Sequence, residues 1–276
     1  MTIERLDTLI KLRRPDRWYD AYIFDLDGTC YLGDALLPTV AETITQLRAR
    51  GKRTVFLSNN PTRPAEEYAD KLTRLGLPTP PQDVVNSSLV MVDFLNRRMP
   101  GARLFVAGEA SLCRELAAAG FALADDARDV AAVIASFDRT FDYRKLQIAF
   151  DAIRAGARFY ATNADRFCPV PGGGGQPDAA AVIAAIEACT GVAVEVVVGK
   201  PSPHMAAAVL ARLGLPPERC LMVGDRLETD VLLGLDAGMA AALVLTGATD
   251  EEAAASSSIR PTHILRALAD LVPEFM

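Results

Sequence analysis

Tyr22-Ile23-Phe24-Asp25-Leu26-Asp27-Gly28-Thr29 is an apolar run that ends in two aspartates, a glycine and a hydroxyl. Side chains along a strand alternate faces, so in an extended run Asp25 and Asp27 project together from its C-terminal end. In open α/β sheets that end is where ligands bind. Two clustered carboxylates repel each other unless a cation or a shared proton relieves them. A divalent metal plus a nucleophile–acid pair accounts for both residues.

Working outward, apolar strand-like runs recur at 53–57, 103–106, 130–135, 157–161, 194–198, 220–223 and 240–245. Ala-, Leu- and Glu-rich helical stretches separate them, at 38–50, 64–75, 88–98, 109–119, 142–154, 177–190, 203–213 and 228–236. This alternation predicts an α/β protein with a parallel, doubly wound sheet. Ser202-Pro203 reads as a helix N-cap followed by the first helical residue. Gly51, Gly76, Gly120, Gly156, Gly191 and Gly214 each stand where a helix should stop. The chemistry-bearing segments lie at 21–60 and 199–230, so residues 82–190 read as an inserted α/β domain. The core is then 1–81 and 191–276, with Pro78, Pro80, Pro81 and Gly191 marking the crossings. Pro171-Gly172-Gly173-Gly174-Gly175 reads as a flexible loop, because no Gly-Lys-Ser/Thr follows to make a phosphate loop.

The totals narrow the class. The chain has 276 residues, half of them hydrophobic, enough for a sizeable core. A net charge of −6 argues against a nucleic-acid protein. An anionic substrate must then be drawn in by a local field. Met1 to Leu12 mixes charged and apolar residues and does not read as a secretory leader, and no run of about 18 apolar residues reads as a membrane span. The five cysteines are scattered, with no Cys-x-x-Cys pair, as free thiols in a reducing cytoplasm would be. Residues 1–17 read as an amphipathic lead-in helix, with Ile3, Leu6, Leu9, Ile10 and Leu12 on its apolar side. Trp18 is expected to pack on the core.

Three further segments repeat the pattern of a strand ending in polar groups. Thr54-Val55-Phe56-Leu57-Ser58-Asn59-Asn60-Pro61 ends in a hydroxyl and two amides, neutral donors suited to phosphate oxygens or to a plain turn. Val198-Gly199-Lys200-Pro201 offers a cation beside a helix start. Met222-Val223-Gly224-Asp225-Arg226-Leu227-Glu228-Thr229-Asp230 ends in an acid fit for a hard metal, with Asp230 in the first turn of the next helix.

Together, in this order, the four segments resemble the haloacid dehalogenase-like superfamily, whose pattern runs DxDGT, strand-end Ser/Thr, Lys, and an acidic GD…D. The likeness extends to the branch of NagD-like, p-nitrophenyl phosphate and pyridoxal phosphate phosphatases, through Ser58-Asn59-Asn60, Gly199-Lys200-Pro201-Ser202-Pro203, the 224–230 run, and Ala161-Thr162-Asn163-Ala164-Asp165 in the insert. It covers nearly the whole chain after residue 20.

The resemblance implies a Rossmann-like core with an α/β cap, and a Mg²⁺-dependent phosphatase of small phosphomonoesters. Asp25 would be the nucleophile, forming an aspartyl phosphate, and Asp27 the acid and then the base. Magnesium would be held by the Asp25 and Asp225 carboxylates and the Asp27 main-chain carbonyl, with Asp230 behind them. Ser58, Asn59 and Lys200 would bind the phosphoryl group. The cap loop carrying Asn163, Asp165, Arg166 and Phe167 would set specificity, or else be a structural turn. Cys168 stands near a position where the pyridoxal phosphate branch often has histidine, which weakens that substrate. A homodimer through the cap is common in this branch. Sugar phosphates, nucleotides, phosphoglycolate and pyridoxal phosphate all remain open as substrates. Two competing readings are a phosphotransferase or mutase using the same phosphoaspartate, and a non-catalytic phosphate-ligand binding protein. Dehalogenation is disfavoured, because Asp27 and Asp225 suit metal-dependent phosphate chemistry. His204, His263 and Cys30 read as structural.

Overall fold

The computed structural model describes residues 10–170 and 174–273. They fall into two compact units. The first holds the chain up to Leu57, the piece Leu75–Leu77, and the chain from Val209 on; the second holds Ser58–Arg74 and Pro78–Ala208. Both are α/β and each is built on a parallel sheet, as the alternating pattern predicts.

We number ten strands. β1 is Ala21–Asp25 and β2 is Arg53–Ser58; β3, β4, β5, β6 and β7 are Arg103–Ala107, Ala122–Leu123, Ala132–Ala135, Arg158–Ala161 and Val196–Val197; β8, β9 and β10 are Cys220–Gly224, Ala240–Val244 and His263–Leu265. In the first unit the order is β10-β9-β8-β1-β2, all parallel. The strands read as continuous apolar runs because both faces are covered: β1 and β8 are buried at every position. Tyr22, Phe24 and Phe56 stack in sequence across one face, with ring centroids 6.3 and 6.0 Å apart.

In the second unit the order is β7-β6-β5-β3-β4, again parallel. Phe105, Val133, Ala135, Phe159 and Ala161 meet Ile153 and Ile186 in its core. The helices Tyr143–Arg154 and Ala179–Thr190 start on Asp142 and Asp178, whose carboxylates accept from the Lys145 and Ala179 amides. Ser202 caps the helix Pro203–Leu213 through the His204 amide.

Four sequence expectations need revision. The described part of the lead-in, residues 10–17, is not helical. Arg13 pairs antiparallel with Ile264 on the otherwise open edge of β10, while Ile10 and Leu12 pack beside Leu243 and Ile264. Positions 1–9 lie outside the described residues. Trp18 is half-buried beneath Arg50, whose guanidinium lies 5.0 Å from its ring centre, and is not part of the core. The described part of the glycine run is not a loop. Gly174–Pro177 pairs antiparallel with Phe167–Val170, and the bare Cα of Gly175 leaves room for the Phe167 ring, which an added Cβ would meet at 2.8 Å. The helix expected over 228–236 begins as a π-helical turn, Leu227–Val231, before continuing as Leu232–Asp236.

Candidate active site

In the first unit the chain leaves β1 towards β2 on one side and β8 towards β9 on the other. The C-terminal ends of β1 and β8, adjacent in register at Phe24 and Val223, therefore flank the topological switch point. There Asp25, Asp225 and Asp230 each offer a carboxylate oxygen, all within 4.8 Å of one another. The three residues are 8%, 2% and 1% exposed. Three like charges at that depth and spacing are costly without a cation. An all-oxygen donor set suits a hard divalent ion over a soft one, so these residues fit the metal.

Glycines make room for the acids. Gly28, at φ 89°, lies against the Asp225 carboxylate, whose carboxyl carbon an added Cβ would meet at 2.9 Å. Gly224 similarly accommodates Asp230, and Gly247, beside Gly28, also accommodates Asp225. Hydrogen bonds then fix the orientation. Asp225 Oδ2 accepts from the Ala248 amide at 2.6 Å, Asp230 Oδ2 accepts from the Arg226 amide at 3.1 Å, and the Thr246 hydroxyl donates to the Gly28 carbonyl at 2.7 Å.

Asp27 stands apart from the three. The Leu26 carbonyl accepts from the amides of Thr29, Cys30 and Tyr31, at 3.3, 2.8 and 3.2 Å. The backbone therefore turns directly after Asp25, and strand alternation stops there. Asp27 is half-buried, and its Oδ2 lies 3.5 Å from the Tyr31 hydroxyl. Burial, then the charges of Asp25 and Asp27, push the Cys30 thiol well above its usual range, which disfavours the reactive thiolate.

In the second unit, Ser58, Asn59 and Lys200 are all buried. Ser58 Oγ accepts from the Asn60 amide at 3.1 Å. Lys200 follows β7, and its main chain is clasped by the Asn59 side chain. The Lys200 amide donates to Asn59 Oδ1 at 2.7 Å, and Asn59 Nδ2 donates to the Lys200 carbonyl at 3.3 Å. Asn59 Nδ2 also faces both Asp165 oxygens at 3.2 Å. Asn163 is fully buried. Its Oδ1 accepts from the Thr162 hydroxyl and its Nδ2 donates to Asp178. Arg166 and Phe167 are exposed, and Asn60 Nδ2 lies 3.8 Å from Cys168 Sγ.

The two histidines pack rather than react. His204 lies edge-on to Phe94, with centroids 4.9 Å apart, and His263 shares a hydrogen bond with the Tyr19 hydroxyl at 2.9 Å. Burial is the main force lowering both imidazole pKa values.

Sequence reasoning missed Thr246-Gly247-Ala248, the segment that seats Asp225. The available signal was an apolar strand, β9, followed within three residues by a glycine, where β8 ends on one.

Two family models match, haloacid dehalogenase-like hydrolase over residues 22–122 and HAD-hydrolase-like over 197–271. The sugar-phosphatase AraL of Bacillus subtilis is 36% identical over 249 residues, 90% of each chain. This chain belongs to the haloacid dehalogenase-like hydrolases. The crystal structure of a 4-nitrophenylphosphatase from Thermotoga maritima superposes with a TM-score of 0.87 at 36% identity, covering 92% of this chain and 96% of that one. A glycerol phosphate phosphatase from Mycobacterium tuberculosis, solved in complex with magnesium, gives 0.85 at 32% identity, covering 95% and 78%. The fold is thus the Rossmann-like one of this family, and the chain is a hydrolase whose relatives are named phosphatases.

Proposed function

We propose that this chain is a Mg²⁺-dependent phosphatase of small phosphomonoesters that works through an aspartyl phosphate on Asp25. The observation that carries the reading is the buried carboxylate group of Asp25, Asp225 and Asp230, which fits a hard divalent ion at the switch point of the first sheet. Asp25 and Asp225 hold the ion with the Asp27 main-chain carbonyl, and Asp230 supports them. The ion offsets negative charge at the phosphoryl group.

An Asp25 carboxylate oxygen attacks phosphorus as the bond to the leaving oxygen breaks, and Asp27 gives that oxygen a proton. Water then attacks the same phosphorus and loses its proton to Asp27. The bond to Asp25 breaks and inorganic phosphate leaves. Ser58, Lys200 and Asn59 bind the phosphoryl oxygens. Because the Asn59 amide is already used, its contribution comes through its main-chain N–H. Positioning and electrostatic stabilisation of this kind are most of what phosphoryl transfer requires.

Residues 82–190 act as the specificity cap of a core formed by 1–81 and 191–276. Exposed Arg166 and Phe167 read the leaving group, while Asn163 and Asp165 hold the base of their loop. The protein works in the cytoplasm, as a homodimer through the cap. Among the described residues no helix is long and apolar enough to cross a membrane.

A panel of sugar phosphates, nucleotides, phosphoglycolate, pyridoxal phosphate and an aryl phosphate, with Mg²⁺ and with a chelator, tests the reading by ranking kcat/KM. Metal-dependent phosphate release into water supports it. Release only when an acceptor alcohol is present would favour a phosphotransferase, and no release at all would favour a binding protein.

A further inference from the structure

We propose that Asp165 is a positioning residue for Lys200, acting through the side chain of Asn59, and that it does not read the leaving group. The inference rests on Lys200 being the phosphate-binding cation. An asparagine amide can face either way, and its two orientations differ only in where the donor and the acceptor point. Here Oδ1 accepts from the Lys200 amide at 2.7 Å and Nδ2 donates to the Lys200 carbonyl at 3.3 Å. Both main-chain groups of the lysine are therefore matched in one orientation only. The Asp165 carboxylate, with both oxygens 3.2 Å from Nδ2, enforces that orientation. A flipped amide would turn Oδ1 towards a carboxylate, oxygen against oxygen, and would set like groups against each other at Lys200.

The surroundings make the clasp stiff. The Ser87 hydroxyl donates to the Asn59 carbonyl at 2.6 Å. The Asp165 carbonyl accepts from the Ala180 amide at 3.1 Å, and the Arg166 carbonyl accepts from the Asp178 amide at 3.1 Å, which ties the loop to the start of the helix Ala179–Thr190. Gly199 fits closely beneath, since an added Cβ would lie 2.5 Å from the Thr162 carbonyl and 2.7 Å from Asn59 Oδ1. The polypeptide at Asp165 and Arg166 is thus fixed, and the Asp165 carboxylate is committed to Asn59. A leaving group would have to break a charge-assisted bond to engage it.

The test compares Asp165→Ala, Asp165→Asn, Asn59→Ala and the double alanine variant with the wild type, each with Mg²⁺ on an aryl phosphate and a sugar phosphate. Asp165→Ala should lower kcat about 10- to 100-fold by the same factor on both esters, as loss of a supporting hydrogen bond typically does. Asp165→Asn retains an acceptor and should recover most of the loss. The double variant should be no worse than Asn59→Ala alone, because both lie on one line of action. Hydrogen exchange supplies a readout independent of turnover. Pro201 and Pro203 have no amide hydrogen and the first two residues of a peptide lose their label, so a peptide over 198–204 reports only Lys200, Ser202 and His204, and it should exchange faster in Asp165→Ala. If no ester is hydrolysed by the wild type, the phosphatase reading fails while the exchange measurement still decides the clasp. Losses that depend on the leaving group, additive losses in the double variant, or unchanged exchange in Asp165→Ala would each overturn the proposal.

Discussion

Gly247 and Asp225 occupy one space: a Cβ on the glycine would sit inside the aspartate carboxylate. The acid is seated against Gly28 and Gly247 and held by the Ala248 amide. Gly247→Ala must therefore displace Asp225 or the loop. The expected result is about 10- to 100-fold weaker metal affinity, or an equal loss of activity at limiting metal. Titrating activity against Mg²⁺ checks it, and an unaltered titration would mean that the orientation of Asp225 does not matter.

Asp25→Asn keeps the size and shape of the side chain but removes the nucleophilic oxygen anion. Turnover should fall by at least about a thousandfold, as removal of a covalent nucleophile does. The circular dichroism spectrum should be unchanged. Because one of three close carboxylates is neutralised, the metal-free variant should melt no lower than the wild type. Acid quenching of the wild type during turnover should trap label from a phosphorus-labelled ester on the protein, and the variant should trap none.

Divalent metal should stabilise the protein itself. An ion that relieves three buried carboxylates binds the folded chain and not the unfolded one, so Tm should rise with Mg²⁺ concentration and return on chelation. Differential scanning fluorimetry measures this without substrate. A Tm indifferent to the metal would contradict the carboxylate group as its seat.

Glu115, on the helix Ala110–Ala118, is half-buried, and its Oε1 has no hydrogen-bond partner among the described residues. Burial pushes its pKa up to about 7; the Ser88 hydroxyl opposes the shift and the Glu66 charge adds to it. A carboxyl whose folded pKa lies above its unfolded value favours folding fully below the unfolded value and loses that contribution as pH rises through the folded one. Stability from this group should therefore fall between about pH 4.5 and 7. Allowing for solvent screening, the effect is on the order of 1 kcal/mol. Glu115→Gln should melt higher than the wild type at pH 8 and equally at pH 4; equal Tm values at both pH values would remove the group from the account.

Phe167 is 47% exposed and rests on Gly175, and Arg166 beside it is exposed as well. Phe167→Ala and Arg166→Ala should change the ratio of kcat/KM between a sugar phosphate and an aryl phosphate by several-fold while largely sparing the better substrate. Equal losses on every ester would deny this hairpin a part in specificity.

Much of the fold was legible because burial on both faces writes each parallel strand as an apolar run, and each is bounded by glycine, proline or a capping acid. The four polar strand ends were legible for the same reason, since a polar group closing such a run has few structural uses. What stayed hidden depends on partners distant in the chain. The apolar spacing over residues 1–17 reads as helical, yet its described part, 10–17, is not helical, because an open sheet edge offers Arg13 the backbone bonds of Ile264. The glycine-rich stretch reads as mobile, yet Gly174–Pro177 is ordered by pairing with the strand that carries Phe167.

The amino-acid order alone determined the alternating layers, the place of the acids at strand ends, and the family, because all three are written in local pattern. Only tertiary structure decided that Asp230 joins Asp25 and Asp225 while Asp27 stands aside, that Gly247 seats a carboxylate 22 residues before it, and that Asn59 spends its amide on Lys200 and Asp165. Those outcomes are set by where backbone turns and strand neighbours place atoms in space, and a short window of residues does not contain its distant neighbours.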